Sequence, residues 1–505
     1  MNAGPAKANN HEASTGAARG SPAAARPPVD RVAHGRPALP LGFRIAIDPG
    51  TRQLDETTLF GGSPTRVARL SPAGVRAWTQ LRDGTVTSPA AGVLARRLSD
   101  GGLLHPRPAP VPTPDVTVII PARDRADQLA DCLTSVAAQR VLVVDDGSAD
   151  PAAIATVAAD HGATLLRRPV NGGPAAARNT GLAHAHTELV AFLDSDCVAP
   201  PGWIEALAGH FADPLVAAVA PRVVAPPATT WSGRYTEAAG SLDLGPREAR
   251  VLPGTRVAYV PTAALLVRRS ALEDVGVFDQ DLRYGEDVDL VWRLHGAGRL
   301  VRYDPSVRVR HRAPDSWRDL LVRRFHYGTS AGPLALRHPA AMAPVVLQPW
   351  LTAGVAAALA RRPLVAGIAF AGAVVDVGGT LHRAGLPPAR VLAALASGTR
   401  QTWLGIGRYG TRFAAPVLAA TLVAPGGSTA AVRRGRRVAA ASLLFGPPLT
   451  AWARQRTLDP VRFALGDVAA EVAYGAGVLA GCLHARTTRP LRPAVTWRQF
   501  RTGTR

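Results

Sequence analysis

The sequence predicts an α/β protein whose central domain is built around a parallel sheet, with a small module before it and a helical region after it. Between residues 115 and 312, short apolar runs alternate with helical segments, as in proteins where a crossover helix follows each strand. Beyond residue 313 the chain is rich in alanine and arginine, and alanine is the strongest helix former. We therefore expect one α/β domain followed by helices.

Two segments near the N-terminus lack the pattern of a folded domain. Residues 1–38 show no apolar period, so they cannot bury enough surface to offset the entropy of ordering and are predicted to be disordered. Five prolines between residues 105 and 114 predict a stiff linker over residues 107–114. A domain boundary is expected at that linker.

Residues 39–106, between these two segments, are predicted to form a compact module. A strand-like stretch precedes a helix that starts at Ser71-Pro72 and places Val75, Trp78 and Leu81 on one face. The pattern resembles the small winged-helix modules of the PqqD-like type, which recognise peptides in peptide-modifying systems. An N-terminal packing domain without a ligand is the alternative interpretation.

Three buried strand-like runs in residues 115–312 are each followed by residues that stop the strand. Because the carboxyl ends of parallel strands meet at one edge of a sheet, ligands gather there. We therefore expect the residues that come directly after these three strands to share one site. The runs and their following residues are Val116–Ile120 with Pro121, Val141–Val144 with Asp145 and Asp146, and Val190–Leu193 with Asp194 and Asp196.

The third of these strand ends is a candidate metal–diphosphate site. Asp194 and Asp196 are separated by one residue, and two such carboxylates repel each other unless a divalent cation, or a cation with phosphates, lies between them. Taken alone, the pair is also typical of a helix cap or a turn. The rest of the pattern has to decide between these interpretations.

Five blocks of residues, in the correct order, resemble the inverting glycosyltransferases of family 2, which have the GT-A fold. The resemblance extends over residues 116–311 and implies a nucleotide-sugar donor and a Mg²⁺ or Mn²⁺ cofactor. Residues 115–312 are then the GT-A domain. The blocks are residues 116–125, 144–148, 171–179, 193–196 and, with interruptions, 278–293.

The resemblance also implies roles for individual residues. Asp287 matches the catalytic base, and Asp196 and His311 match the metal ligands. Glu286, which points elsewhere on the same helix, and Trp203 are the candidate acceptor contacts. The donor is expected to bind at Pro121, Arg123, Asp145, Asp146, Arg178 and Asp194.

Each assignment has a structural alternative. Asp287 could be a helix N-terminal charge that interacts with the helix dipole. His311 could be a solvated residue in an arginine-rich stretch, and Trp203 could be a core aromatic residue. Only the three-dimensional arrangement separates these alternatives.

The chemistry of sugar transfer agrees with the predicted residues. A nucleotide sugar leaves behind a diphosphate, whose developing charge a divalent ion held by Asp196 and His311 would neutralise. A carboxylate on the other side of the sugar then takes the proton of the acceptor hydroxyl, which contributes about 10²–10⁴-fold to the rate. In-line attack of this kind inverts the anomeric centre without a covalent enzyme intermediate.

The composition is strongly basic, with a formal net charge of +21 over 505 residues. Beyond Leu320 the acids are Asp376, Asp459, Asp467 and Glu471, against about two dozen arginines. This asymmetry predicts an anionic surface as partner, and we favour membrane phospholipid over nucleic acid. The three cysteines form no C-x-x-C pair and the N-terminus lacks a signal peptide, which fits the cytoplasmic face of the membrane.

The C-terminal region, residues 313–505, allows three arrangements. Residues 343–360, 413–432 and 438–453 contain no charged residue and approach the length that spans a bilayer. Spanning helices, helices that lie on the membrane with arginines at the headgroups, and a soluble helical domain all fit. We expect membrane association.

The layout of module, family 2 domain and helical region is similar to that of the glycosyltransferases of the mycofactocin system. That similarity implies glucose transfer from UDP-glucose to a peptide-derived acceptor, building a short β-linked oligosaccharide. A transferase for cell-wall or lipid-linked polysaccharide is the main alternative. A non-catalytic glycan- or nucleic-acid-binding protein is the alternative outside the enzyme class.

Overall fold

The computed structural model describes residues 36–112, 114–314, 316–425 and 429–496, and the backbone of residues 501–502. Most of the segment predicted to be disordered lies outside the described residues. Residues 36–38 belong to the folded protein, so the prediction is wrong for them. Arg36 donates to the carbonyl of Gly298 at 3.0 Å, and the carbonyl of Pro37 accepts from Arg96 Nε at 2.9 Å.

The N-terminal module consists of short strands and two helices. Ser71 and Ser88 cap the two helices by accepting from the backbone N–H groups of Gly74 and Ala91. Trp78 and Leu81 lie in the core of the module, as the helical spacing predicts. That the module is a winged helix stays a prediction. Its elements are β1 Ile45–Ile47, β2 Arg52–Gln53, β3 Thr58–Gly61, β4 Arg66–Arg69, α1 Pro72–Leu81, α2 Pro89–Asp100 and β5 Leu104–Pro106.

The central domain contains the expected α/β elements. Its first half alternates strands and helices, and its second half adds antiparallel strands. The elements are β6 Val116–Ala122, α3 Ala126–Ser135, β7 Arg140–Asp146, α4 Pro151–Asp160, β8 Thr164–Arg168, α5 Pro174–Ala183, β9 Leu189–Leu193, β10 Cys197–Val198, α6 Trp203–Ala208, a 3₁₀ turn Gly209–Ala212, β11 Val216–Val224, α7 Trp231–Ala239, β12 Ala249–Arg250, β13 Ala264–Arg268, α8 Arg269–Val275, α9 Glu286–Gly296 and β14 Leu300–His311.

These strands form one mixed sheet in the order β10-β14-β11-β13-β9-β6-β7-β8, with β12 paired to β14. The strands β9, β6, β7 and β8 are parallel, which brings their carboxyl ends to one edge. The strand β13 runs antiparallel to β9 and β11. The apolar residues of β6, β7 and β9 are buried between helices on both faces, as a parallel sheet requires.

One predicted strand end differs from the structure. Pro121 was expected to stop β6, but the strand continues to Ala122 and stays paired with β7. Pairing with β9 ends earlier, at Ile119. A proline removes only its own N–H from the ladder, so pairing with β7 survives it.

The C-terminal region is a layer of helices packed on the α/β domain. The long helix α15 is kinked at Ala414, close to Pro416. The terminal strand β17 pairs with β4 of the N-terminal module. The elements are α10 Trp317–Thr329, α11 Ala331–Arg337, β15 Val346–Leu347, α12 Pro349–Leu359, α13 Pro363–Ala373, a π turn Val374–Gly378, α14 Gly379–Arg383, α15 Pro388–Val423, α16 Ala430–Trp452, α17 Pro460–His484, a 3₁₀ turn Arg489–Leu491, β16 Ala494–Val495 and β17 Arg501–Thr502.

The helix α17 lies unusually close to α10. A Cβ atom at Gly477 would overlap the carbonyl oxygen of Phe325, and one at Gly481 would overlap the carbonyl oxygen of Thr329. Only glycine allows such a close approach of two helix backbones. These two helices of the C-terminal region are therefore held tightly against each other.

The uncharged stretches considered from the sequence do not coincide with the helices that are long and apolar enough to cross a membrane. Residues 343–360 contain the shorter apolar helix α12. Residues 413–432 cross the break between α15 and α16. By length and composition alone, the described helices that could cross a membrane are Pro363–Arg383 and Pro460–His484. In these two helices, 33% and 39% of the apolar window is buried inside the protein.

Candidate active site

A cavity of about 970 Å³ lies at the carboxyl edge of β6, β7 and β9 and is closed by the C-terminal helices. Its volume is at the upper end of the range for small-molecule sites. Asp145 and Trp203 are the predicted site residues that do not line it. Those that do are Pro121, Arg123, Asp146, Arg178, Asp194, Asp196, Glu286, Asp287 and His311.

The two carboxylates at the end of β7 hold neighbouring loops. Asp146 accepts from the backbone N–H groups of Gly172 and Gly173 at 3.0 and 2.7 Å and from Arg168 Nε at 2.8 Å. Asp145 is fully buried, where it pairs with Arg167 and accepts from the N–H of Ser148. Asp145 therefore positions the loop rather than contacting the cavity, which corrects its assignment as a donor contact.

A buried arginine joins the end of β9 to the start of α9. Arg178 donates to Asp194 at 2.7 Å and to Glu286 at 2.8 Å. Its guanidinium also lies over the ring of Phe278, 5.6 Å from the ring centroid. Burial alone would lower the pKa of Arg178, but the charges of Asp194 and Glu286 raise it above its ordinary value. Arg178 is thus a fixed positive charge at the back of the cavity.

Glu286 was predicted as an acceptor contact because a helix neighbour of Asp287 should point elsewhere. It lines the cavity, but its carboxylate is occupied by Arg178. In the structure, Glu286 therefore binds Arg178.

Asp196 and His311 come together where β10 pairs with β14. His311 Nε2 lies 3.4 Å from Asp196 Oδ1, and Cys197 opposes His311 in the strand register. Among the described residues, these three form the group whose ligand atoms could hold a metal ion, all within 4.8 Å of one another. Carboxylate and imidazole donors suit a divalent ion such as Mn²⁺.

Cys197 is the unsuitable member of this group. It is fully buried and its thiol donates to the carbonyl of Ala263 at 3.4 Å. Burial and the charges of Asp194 and Asp196 raise its pKa well above the ordinary value. Because the thiolate is the form that binds metals, the residues that fit an ion are Asp196 and His311.

Asp287 lies at the first turn of α9 and lines the cavity. Gly285 precedes the helix with a φ of +83°, which favours glycine. Burial, reinforced by the charge of Glu286, raises the pKa of Asp287 to about 7, and a hydrogen bond from the Val288 N–H at 2.8 Å partly opposes this rise. A carboxylate with such a pKa is well suited to accept a proton near neutral pH.

Comparison with known proteins agrees with this geometry. The family model described as Glycosyl transferase family 2 matches residues 117–276. The chain is 40% identical over 478 residues to the pre-mycofactocin glycosyltransferase of Mycobacterium tuberculosis strain H37Rv, covering 90% of this chain and 98% of that protein. The chain belongs to glycosyltransferase family 2. It is a glycosyltransferase with an α/β GT-A core.

Two further similarities are more distant. The succinoglycan biosynthesis protein ExoU of Rhizobium meliloti is 35% identical over 203 residues, covering 38% of this chain and 59% of that protein. The solved structure of the mannosyltransferase PcManGT from Pyrobaculum calidifontis, in complex with GDP-Man and Mn²⁺, has 22% identity and a TM-score of 0.36. It covers 67% of this chain and 90% of that chain.

Trp203 does not take part in the site of this family 2 enzyme. It is 3% exposed and packs in the hydrophobic core beneath the sheet with Ile204 and Leu207. As the first residue of α6, it lies on the buried face of that helix. The prediction that it contacts the acceptor is wrong, and its core alternative is correct.

The C-terminal helices contribute a part of the site that was not predicted from the sequence. Arg412 pairs with Glu471 at 2.7 Å and lies over the ring of Tyr474, while Arg324 contacts the same ring from α10. No local motif marks these residues, since they come from three helices distant in sequence. The cavity-lining residues of this wall include Arg324, Tyr327, Arg412, Phe413, Tyr474 and Val478.

If Asp287 is the general base that the sequence predicts, replacing it by Asn should lower kcat by about 10²–10⁴-fold, because the proton acceptor is lost while the other cavity residues remain. In the wild type, kcat/KM should rise as pH increases through about 7, since the base acts when deprotonated. Steady-state kinetics against pH measures both effects. Asp281→Asn, at an exposed position in the preceding loop, is the control and should leave kcat unchanged. An Asp287→Asn variant with the wild-type rate would contradict the assignment.

Proposed function

We propose that this enzyme transfers glucose from UDP-glucose, with inversion, to a peptide-derived precursor of mycofactocin. The reaction type is inferred from one observation. Among the described acids that line the cavity, Asp287 is the one without an ion pair, whereas Asp194 and Glu286 are bound to Arg178 and Asp196 lies beside His311. A single unpaired carboxylate is what direct displacement by an acceptor hydroxyl needs.

The donor side of the reaction follows from the same wall of the cavity. Pro121, Arg123 and Asp146 border the part expected to bind the nucleotide. Asp196 and His311 would hold a divalent ion, and the imidazole ligand favours Mn²⁺ over Mg²⁺. When bound, that ion supplies positive charge to the diphosphate leaving group. Arg178 keeps Asp194 oriented toward the same space.

The acceptor side is assigned to the wall formed by the C-terminal helices. Tyr327 and Tyr474 of these helices border the cavity, as does Tyr259 of the α/β domain, and Tyr259 and Tyr327 lie close to Asp287. Aromatic faces combined with hydroxyl groups suit a small peptide-derived acceptor and the sugars of a growing β-linked chain. The relative from Mycobacterium tuberculosis supports this acceptor, since the similarity includes the flanking regions as well as the α/β domain.

The function is tested by measuring UDP release from UDP-glucose in the presence of Mn²⁺. Asp196→Ala should abolish UDP release and weaken Mn²⁺ binding measured by isothermal titration calorimetry, because a ligand is lost. Asp131→Ala, an exposed carboxylate on α3, should do neither. If the wild type releases no UDP with Mn²⁺ and the peptide-derived acceptor, the proposal fails. Transfer to a polyprenyl-phosphate glycan instead would favour the polysaccharide alternative.

We also propose that the enzyme works on the cytoplasmic face of the membrane, with the apolar helical segment Pro363–Arg383, which begins with α13, as its lipid contact. Leu364, Ile368 and Val375 are 82%, 70% and 76% exposed on one face of this apolar segment. Such a face suits the headgroup–acyl boundary of a bilayer. The membrane association expected from the sequence is thus assigned to this apolar segment, and not to the uncharged stretches 343–360, 413–432 and 438–453.

Charge at the end of this face favours anionic phospholipid as the surface. Arg361 and Arg362 directly precede α13, and Arg361 packs against Gly435 at the start of α16. The same turn of α16 adds the exposed residues Arg434, Arg436 and Arg437. Each basic residue beside an anionic leaflet contributes about 1 kcal/mol.

Vesicle co-sedimentation checks this surface. The wild type should bind phosphatidylglycerol vesicles and not phosphatidylcholine vesicles, and Ile368→Glu should abolish binding because a charge enters the lipid contact. Arg434→Glu should weaken binding by about fivefold or more, in line with the loss of one basic residue. Leu41→Glu, at a position 62% exposed in the N-terminal module, is the control. Equal binding of wild type and Ile368→Glu would refute the assignment.

A further inference from the structure

The contact between the N-terminal module and the sheet contains an unusual concentration of buried positive charge. Arg36 and Arg250 lie 3.2 and 3.3 Å from the same oxygen of Asp100, at the end of α2. Arg66 and Arg302 also interact with Asp100 electrostatically. Four arginines from four separate segments of the chain thus surround one carboxylate. We call this group the interface arginine cluster.

The strand register forces two of these arginines together. Arg250 of β12 and Arg302 of β14 are direct partners in an antiparallel pair. Like charges in directly opposed positions destabilise a sheet pair. Their side chains are 11% and 3% exposed, so water screens this repulsion poorly.

Other acids near the interface offset only part of this positive charge: Asp213 and Glu248 act on Arg302, whose pKa their charges raise, but each is also paired with a further arginine. Asp213 pairs with Arg96 at 2.7 Å, and Glu248 pairs with Arg107 at 2.8 Å. Together with Arg96 and Arg107, these described residues comprise six arginines against the three carboxylates of Asp100, Asp213 and Glu248, so positive charge remains in excess.

Neutral groups satisfy only part of the arginine donors. Arg302 donates to the hydroxyl of Ser99, Arg36 to the carbonyl of Gly298 and Arg250 to the carbonyl of Asp100. The Nε atoms of Arg36, Arg66 and Arg302, and Nη1 of Arg302, are buried without a hydrogen-bond partner among the described residues. Buried donors of charged groups are costly to leave unpaired.

The titration behaviour agrees with this geometry. Burial, together with the neighbouring arginines, lowers the pKa of Arg250 to about 10, and burial lowers the pKa of Arg302 to about 10. Burial and the charges of Arg250 and Arg36 lower the pKa of the adjacent His295 to about 4. The histidine is therefore neutral and adds no charge of its own.

We propose that the interface arginine cluster binds a small tetrahedral oxyanion, such as inorganic phosphate or the phosphate group of a small metabolite. Guanidinium groups are the preferred partners of phosphate because their planar donors match its oxygens. The anion would pair the free Nε and Nη donors and offset the excess charge. It would fasten the N-terminal module to β12 and β14, and β14 ends at His311 in the active site.

The site is distinct from the donor-binding cavity. None of Arg36, Arg66, Arg250 and Arg302 lines that cavity. The proposal therefore does not depend on the transfer reaction, and it can fail or succeed separately from the proposed function.

Thermal unfolding of the full chain tests the site. The wild-type Tm should rise by at least about 2 °C in phosphate compared with sodium chloride of equal ionic strength, because a ligand of the folded state stabilises it. The double variant Arg250→Gln/Arg302→Gln should lose this phosphate-specific rise, whatever its own Tm. Arg107→Gln, at the same interface but with a side chain 61% exposed, should retain it.

Glycerol 3-phosphate and sulfate separate the sources of the anion. A rise with phosphate and sulfate alone assigns the site to a free ion, whereas a larger rise with glycerol 3-phosphate assigns it to a phosphate ester. Equilibrium dialysis with radioactive phosphate should show one site in the wild type that the double variant lacks. No phosphate-specific rise in the wild type would overturn the proposal. A phosphate-specific rise in Tm that persists in the double variant would also overturn the proposal, because the phosphate would then bind elsewhere, such as in the active site.

Discussion

The arrangement of the active site depends on the buried ion pairs of Arg178. This residue belongs to α5, yet it binds the carboxylate that ends β9 and the carboxylate that begins α9. It therefore fixes the distance between the strand end that carries Asp194 and Asp196 and the helix turn that carries Asp287. Removing one partner of a buried charge pair leaves an uncompensated charge, which costs about 3–5 kcal/mol.

The same constraint explains how Asp287 differs from its neighbours. Glu286 and Asp194 each form an ion pair with Arg178. Asp287 lies one residue further along α9, without such a partner among the described residues, and is near two other carboxylates. Burial then raises its pKa to about 7. One arginine thus separates two structural carboxylates from one that can accept a proton.

Residues near strands of the sheet could be predicted from the sequence, because strand ends follow apolar runs along the chain. Asp146, Asp194, Asp196 and Asp287 all border the cavity as expected. The sequence could not decide whether Trp203 lies in the core or in the site. The first residue of a helix can face either one, depending on how the helix packs. The position of Asp145 was equally hidden, because adjacent residues of β7 point to opposite sides.

The C-terminal helices were the part that local patterns could not place. Their alanine and arginine content predicted helices, but the close packing of α17 on α10 depends on Gly477 and Gly481 meeting carbonyls from elsewhere in the chain. That packing brings Arg412 and Tyr474 to the cavity. The buried Arg250 and Arg302 pair was likewise invisible in sequence, since it follows from strand register.

The most direct test of this account is the affinity for UDP and the Tm of Arg178→Met, compared with Asp287→Asn. If Arg178 organises the site, Arg178→Met should lose UDP binding by about tenfold or more and unfold at a lower temperature, as expected for unpaired buried carboxylates. Asp287→Asn should keep wild-type UDP affinity. UDP affinity of Arg178→Met within about twofold of the wild type, a difference below ~0.5 kcal/mol, would contradict the account.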